Sequence, residues 1–179
     1  SDITERKQFE KSLKDSEERF RSIYNNSTIG LYRTTPEGRI IMVNPAVVKM
    51  LGFNSVEELL QRNLDKNGFK ENYPRHLFKA ILEREGEVIG LESEWERKDG
   101  STIFVRESAK AIKDENGKII YYEGTVEDIT ERKIAESELE KYRIHLEELV
   151  EERTKQLTIS EERFRQLAEL SEDSITRYD

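Results

Sequence analysis

The chain contains no cysteine. That one absence removes disulfides, thiolate metal sites, cysteine nucleophiles and thioether-tethered cofactors together. Proline and histidine are nearly as scarce, at three and two residues in 179. With so few imidazoles and no glycine-rich phosphate loop, nothing points to catalysis within this stretch. No apolar run approaches the roughly 20 residues of a membrane-spanning helix, and the first residues lack a signal-peptide core. A cytoplasmic location is expected, with any membrane anchor outside this stretch. An excess of basic residues is missing too: the formal net charge of −8 offers no face to a phosphate backbone, so nucleic acid is not an expected partner.

What is abundant is charge, 38% of residues, concentrated in 1–21 and 131–165, and this reads as solvated helix flanking a core. Two hexapeptides recur: DITERK at 2–7 and 128–133, and SEERFR at 16–21 and 160–165. The DITERK copies start 126 residues apart (128 − 2), too far for a solenoid with units of about 20–50 residues and close to the length of one domain. DITERK therefore reads as the end of one unit and SEERFR as the start of the next. The expected organisation is a slice through a tandem array. It assigns 1–7 to the tail of a preceding unit, 8–27 to an N-terminal amphipathic helix, 28–130 to the core, 131–159 to a helical coiled-coil linker and 160–179 to the truncated start of a following unit.

Apolar Phe9, Leu13, Phe20 and Ile23 recur near helical spacing and predict a helix over 5–25. IGLYRT (29–34) and RIIMV (39–43), separated by TPEG, predict a hairpin. Asn44-Pro45 is a good helix entry, an N-cap side chain followed by proline where its missing N–H costs nothing, and this helix should close near Gly52. Ser55 and Glu58 have capping-box spacing for a second helix. A third is expected after Pro74, with Tyr73, Leu77, Ala80 and Ile81 on its inner face. From residue 88 the period drops towards two, and three strand candidates follow, joined through Asp99-Gly100 and Asn116-Gly117. Both dipeptides are strong hairpin signals. The order is α+β, with five strands and a few helices around one small core.

The segment 16–133 resembles a PAS domain, through EGRIIMVNPAVVKMLGF (37–53), RKDGS (97–101), DENGKIIYYEGTVEDIT (114–130) and the ERK that follows. The resemblance implies a five-stranded antiparallel sheet in order 2-1-5-4-3 with short helices over one face, enclosing a ligand-sized pocket. It also implies that Asp128, Ile129 and Thr130 couple the sheet to an output helix. The residues support such a junction independently. Asp128 to Glu131 has capping-box spacing, and Ile129 is placed to pack beneath it.

Beyond the junction, apolar residues at 139, 142, 146, 150, 157, 164 and 167 approximate a heptad with one stutter and predict a dimeric coiled coil. The connector from DITERK to SEERFR spans 14 residues in the first copy (16 − 2) and 32 in the second (160 − 128). The difference of 18 is about five whole helical turns, which suits a continuous helical relay.

Strand alternation selects the candidate pocket residues: Leu91, Ser93 and Trp95, then Val105, Glu107, Ala109 and Ala111, then Tyr122, Gly124 and Val126. Gly124 is expected at a point of close approach. Glu107, if it faces inward, needs a partner such as Tyr122 or a polar ligand. His76 falls at the edge of the third helix's apolar face, near where the resemblance places the iron ligand of heme-binding PAS domains, and an imidazole can ligate a heme iron. LOV-type photochemistry is excluded because its cysteine would fall near Leu64 and the chain has no thiol. A non-covalently held flavin is not excluded by that argument, and the residues fix no cofactor. His145 lies in HLEELVEE, which lacks the acidic-then-Arg/Lys-Pro sequence that follows the phospho-acceptor of histidine kinases. The expected function is a sensory module of a multi-PAS protein, a sensor histidine kinase, that detects a small ligand or cofactor state and dimerises through its flanking helices. The alternative is a ligand-free PAS module that dimerises and relays.

Overall fold

A computed structural model describes residues 2–64 and 75–175. The chain divides into two compact units, Ser1–Glu131 and Arg132–Asp179. In order along the chain are α1 (Asp2–Asn26), β1 (Gly30–Thr34), β2 (Ile40–Val43), α2 (Pro45–Leu51), α3 (Val56–Leu60), α4 (Arg75–Glu85), β3 (Glu87–Glu96), β4 (Thr102–Lys113), β5 (Ile119–Asp128) and α5 (Thr130–Ile175). The strands form one sheet in order β2-β1-β5-β4-β3, and every neighbouring pair is antiparallel.

Turn chemistry fixes this meander. Gly100 and Gly117 sit at φ 83° and 81°, where a side chain would clash, and each closes its hairpin behind an Asp or Asn. One face of β4 is then buried in strict alternation, at Ile103, Val105, Glu107 and Ala109. Alternation fails in β3. There a bulge between Val88 and Leu91 shifts the register, so an even-numbered and an odd-numbered residue, Val88 and Trp95, both end up buried.

The inward residues of the sheet pack against Val47, Val48 and Leu51 of α2, Leu59 of α3, and Phe78 and Leu82 of α4. The inner face predicted for α4 needs correction. Leu77 is exposed, Ala80 is exposed, Ile81 is only half-buried, and Phe78 and Leu82 point inward instead; Tyr73 lies outside the described residues. Leu77/Ile81 and Phe78/Leu82 are both apolar pairs at i, i+4. The pair with the larger aromatic payload occupies the core.

The α2 ends are built as predicted. Asn44 caps Val47 N at 3.3 Å, and Gly52 in the left-handed region closes the helix. In α3, Ser55 Oγ accepts from Glu58 N at 3.2 Å. The Glu58 carboxylate reaches back to Asn54 N at 3.0 Å, one residue before the cap.

Both flanking helices run through the sites where repeat units were expected to meet. α1 is continuous across residue 7 and α5 across residue 160. At 1.5 Å per residue the 46 residues of α5 extend about 69 Å. Its apolar stripe is exposed at Leu139, Tyr142, Leu146, Val150, Leu157, Phe164 and Leu167. Among the described residues no helix is long and apolar enough to cross a membrane.

Candidate functional site

Two features of the core unit stand out, an interior cavity and the junction at which α5 begins. The cavity encloses about 40 Å³, room for one or a few water-sized groups rather than a ring system such as heme or flavin. Its walls come mainly from β1, β2 and the short helices: Ile40, Val43, Val47, Leu51, Leu59 and Phe78 are apolar, and Arg62, Leu64 and Arg75 also border it. Its buried polar groups are Tyr32, Thr34 and Glu107. The Thr34 hydroxyl has no hydrogen-bond partner among the described residues.

Glu107 is 2% exposed, and a bare carboxylate at that depth would be expensive. The Tyr32 hydroxyl donates to its Oε1. This corrects the expected partner: Tyr32 rather than Tyr122 reaches Glu107. The bond crosses three strands, since Tyr32 pairs with Gly124 on β5, and Gly124 in turn with Ala109 on β4. Gly124 is the close approach expected from the sequence. A Cβ there would lie 2.7 Å from the Tyr32 hydroxyl oxygen and 2.5 Å from Ser108 O. Tyr32→Phe removes the donor. It is expected to cost about 1.5–3 kcal/mol, the range for hydrogen bonds to charged groups, measured by urea denaturation at pH 7. A loss below about 0.5 kcal/mol would mean that Glu107 is held adequately by other groups.

Of the other predicted pocket residues, Trp95 borders the cavity with Glu107. Val105, Ala109, Tyr122 and Val126 are buried, and Leu91 packs partly buried against them, but all five belong to the filled core beside the cavity. Tyr122 packs edge-on against Phe78, with ring centroids 6.0 Å apart. Ser93 is half-buried and Ala111 partly buried. His76 is exposed and does not border the cavity. It stands two residues, about 200° of helical phase, from the inward Phe78. In this structure its imidazole is not placed to ligate a heme in that space.

At the junction, Asp128 Oδ1 accepts Thr130 N at 2.9 Å. The predicted capping therefore closes on the second residue after Asp128 instead of the third. Ile129 is buried, and its N–H donates to Phe104 O at 2.8 Å. Thr130 Oγ1 accepts Phe104 N at 2.9 Å. The first turn of α5 is thus tied to Phe104 of β4 through two consecutive residues, Ile129 and Thr130. Sequence reasoning missed Arg97. Its Nε donates to Met50 O at 3.0 Å, and its guanidinium pairs with Asp128 Oδ2 at 3.2 Å. Next to it, Lys98 N donates to Leu51 O at 2.9 Å, and its ammonium pairs with Glu58. That ammonium and the Asn54 N–H hold the Glu58 carboxyl below its ordinary range. Being depressed in the folded state, this group favours folding above the unfolded carboxylate pKa and loses that contribution as pH falls.

A five-stranded 2-1-5-4-3 sheet with helices enclosing a small cavity and a capped exit strand defines a PAS-type sensory fold. Residues 25–131 match the PAS domain family, and the chain belongs to it. It is 30% identical over 138 residues to the sensor histidine kinase TmoS of Ectopseudomonas mendocina, covering 72% of this chain and 13% of that one. To the methyl sulfide methyltransferase-associated sensor of Methanosarcina acetivorans it is 36% identical over 132 residues, covering 70% and 12%. The chain thus spans only about an eighth of these relatives. The PAS domain of an HTR-like protein from Haloarcula marismortui superposes with a TM-score of 0.53 at 24% identity, covering 69% of this chain and 99% of that one. A PAS domain from Colwellia psychrerythraea gives 0.55 at 20% identity, covering 64% and 97%.

Proposed function

We propose that this chain is the sensory module of a sensor histidine kinase on the cytoplasmic side. On this reading it detects a small molecule in the interior cavity and passes the change through Asp128, Ile129 and Thr130 into α5. The observation that carries the reading is a cavity with a buried hydroxyl, Thr34, that has no hydrogen-bond partner among the described residues, beside the Tyr32–Glu107 pair. The ligand must bind two conformations unequally, since equal affinity shifts nothing. The exposed apolar stripe of α5 supports a homodimer through the flanking helices. Kinase activity belongs to other parts of the parent protein.

The small size of the cavity, about 40 Å³, favours a second reading, a ligand-free module that dimerises and relays. Native mass spectrometry of freshly purified protein, with a denatured control, separates the two. A dimer carrying an extra small mass lost on denaturation is the result expected of the sensor. A bare dimer supports the relay alone, and a bare monomer overturns the coiled-coil dimer.

A further inference from the structure

The hairpin loop between β3 and β4 reaches across to the end of α2. The last carbonyls of a helix have no partner within it, and here two of them are taken by adjacent residues of this loop. Met50 O accepts from Arg97 Nε, and Leu51 O accepts from Lys98 N. The other end of the Arg97 guanidinium holds Asp128, whose second oxygen caps Thr130 N. Leu51 itself borders the cavity.

We propose that Arg97 is a positioning residue that carries displacement of α2 at the cavity wall to the base of α5. The inference deepens the sensor reading, since it takes the cavity as input and the junction as output. The path is short: Leu51, the Met50 carbonyl, Arg97, the Asp128 carboxylate, the Thr130 N–H. A guanidinium suits the task because it is planar and always charged. Movement of the Met50 carbonyl either breaks its bond to Nε or turns the whole plane against Asp128. The bonds of Ile129 and Thr130 to Phe104 tie the same turn to β4, so the junction has one attachment to the sheet and one, through Arg97, to the helical layer.

The test needs no ligand. In the 179-residue protein, Leu51→Val perturbs the cavity wall while keeping it apolar, and the Thr130 amide is followed by nitrogen–proton correlation NMR. The Thr130 resonance is expected to move in the Arg97 background. In Arg97→Met, which keeps the aliphatic stem and removes both hydrogen bonds, the same substitution should still move Val48 and lose its effect at Thr130. Asp128→Asn, which retains an oxygen to cap Thr130 and removes the charge facing Arg97, should weaken the response in the same direction and serves if Arg97→Met does not fold. A Thr130 response that persists unchanged in either variant, or is absent with Arg97 intact, overturns the proposal. Either result leaves the ligand question to mass spectrometry, where a bare protein would sink the sensor and spare this relay.

Discussion

Asn44→Ala is expected to cost the core unit about 3–5 kcal/mol, well above an ordinary cap deletion of about 1 kcal/mol. The side chain is fully buried and makes four hydrogen bonds. Its oxygen accepts Leu31 N at 2.9 Å and Val47 N at 3.3 Å. Its amide donates to Ile29 O at 2.9 Å and Tyr24 O at 3.2 Å. Alanine therefore removes the α2 cap and also takes the side-chain partner from Leu31 N in β1 and from Tyr24 O at the end of α1, both part-buried, at about 1–3 kcal/mol each, while Ile29 O keeps the Ser27 hydroxyl. Asn44→Asp should lose most of the same stability, because a carboxylate cannot donate to the two carbonyls. Thermal unfolding followed by circular dichroism would show a midpoint lowered by more than about 10 °C. A shift within about 2 °C would mean that Asn44 is only a cap.

Gly124→Ala is expected to destabilise by about 2–3 kcal/mol through overpacking. The backbone conformation is not the obstacle, since Gly124 is absent from the positive-φ glycines. The obstacle is space. The new Cβ would meet Ser108 O at 2.5 Å, which cannot retreat without pulling β4 from β5, and the Tyr32 ring at 2.8 Å. Tyr32 would have to swing away, and Glu107 would lose the Tyr32 hydroxyl. In a double-mutant cycle, Gly124→Ala and Tyr32→Phe should therefore cost less together than the sum of the two singly, since both break the same bond. Additive costs would show that Tyr32 stays on Glu107 despite the methyl group.

The strands, hairpins and helix entries were legible because their signals are local. Asp99-Gly100 and Asn116-Gly117 each specify a turn within a few residues, and Asn44-Pro45 announces a helix in two. The PAS-like order of these signals also gave the strand order. The cavity was not legible in the same way. Alternation along β3 to β5 finds inward faces, and Val105, Tyr122 and Val126 are buried as it implies. It cannot say where inward residues leave a gap, and here the gap lies towards β1, β2 and the helices. The Tyr32–Glu107 bond joins residues 75 apart in sequence, and Arg97 and Met50 are 47 apart. No local rule pairs them. His76 lies outside the cavity for a narrower reason, since two apolar pairs one residue out of phase both fit the pattern of α4.

The sheet order has a consequence for how this unit meets other extended strands. Among the described residues β2 and β3 are the outer strands, and an open edge is a template for pairing with a foreign strand. β2 is only four residues long. β3 is interrupted by its bulge and carries Glu87, Glu92, Glu94 and Glu96. A foreign strand would meet a short edge on one side and an acidic, broken one on the other. Those two edges guard the sheet against edge-to-edge pairing while its core is still forming.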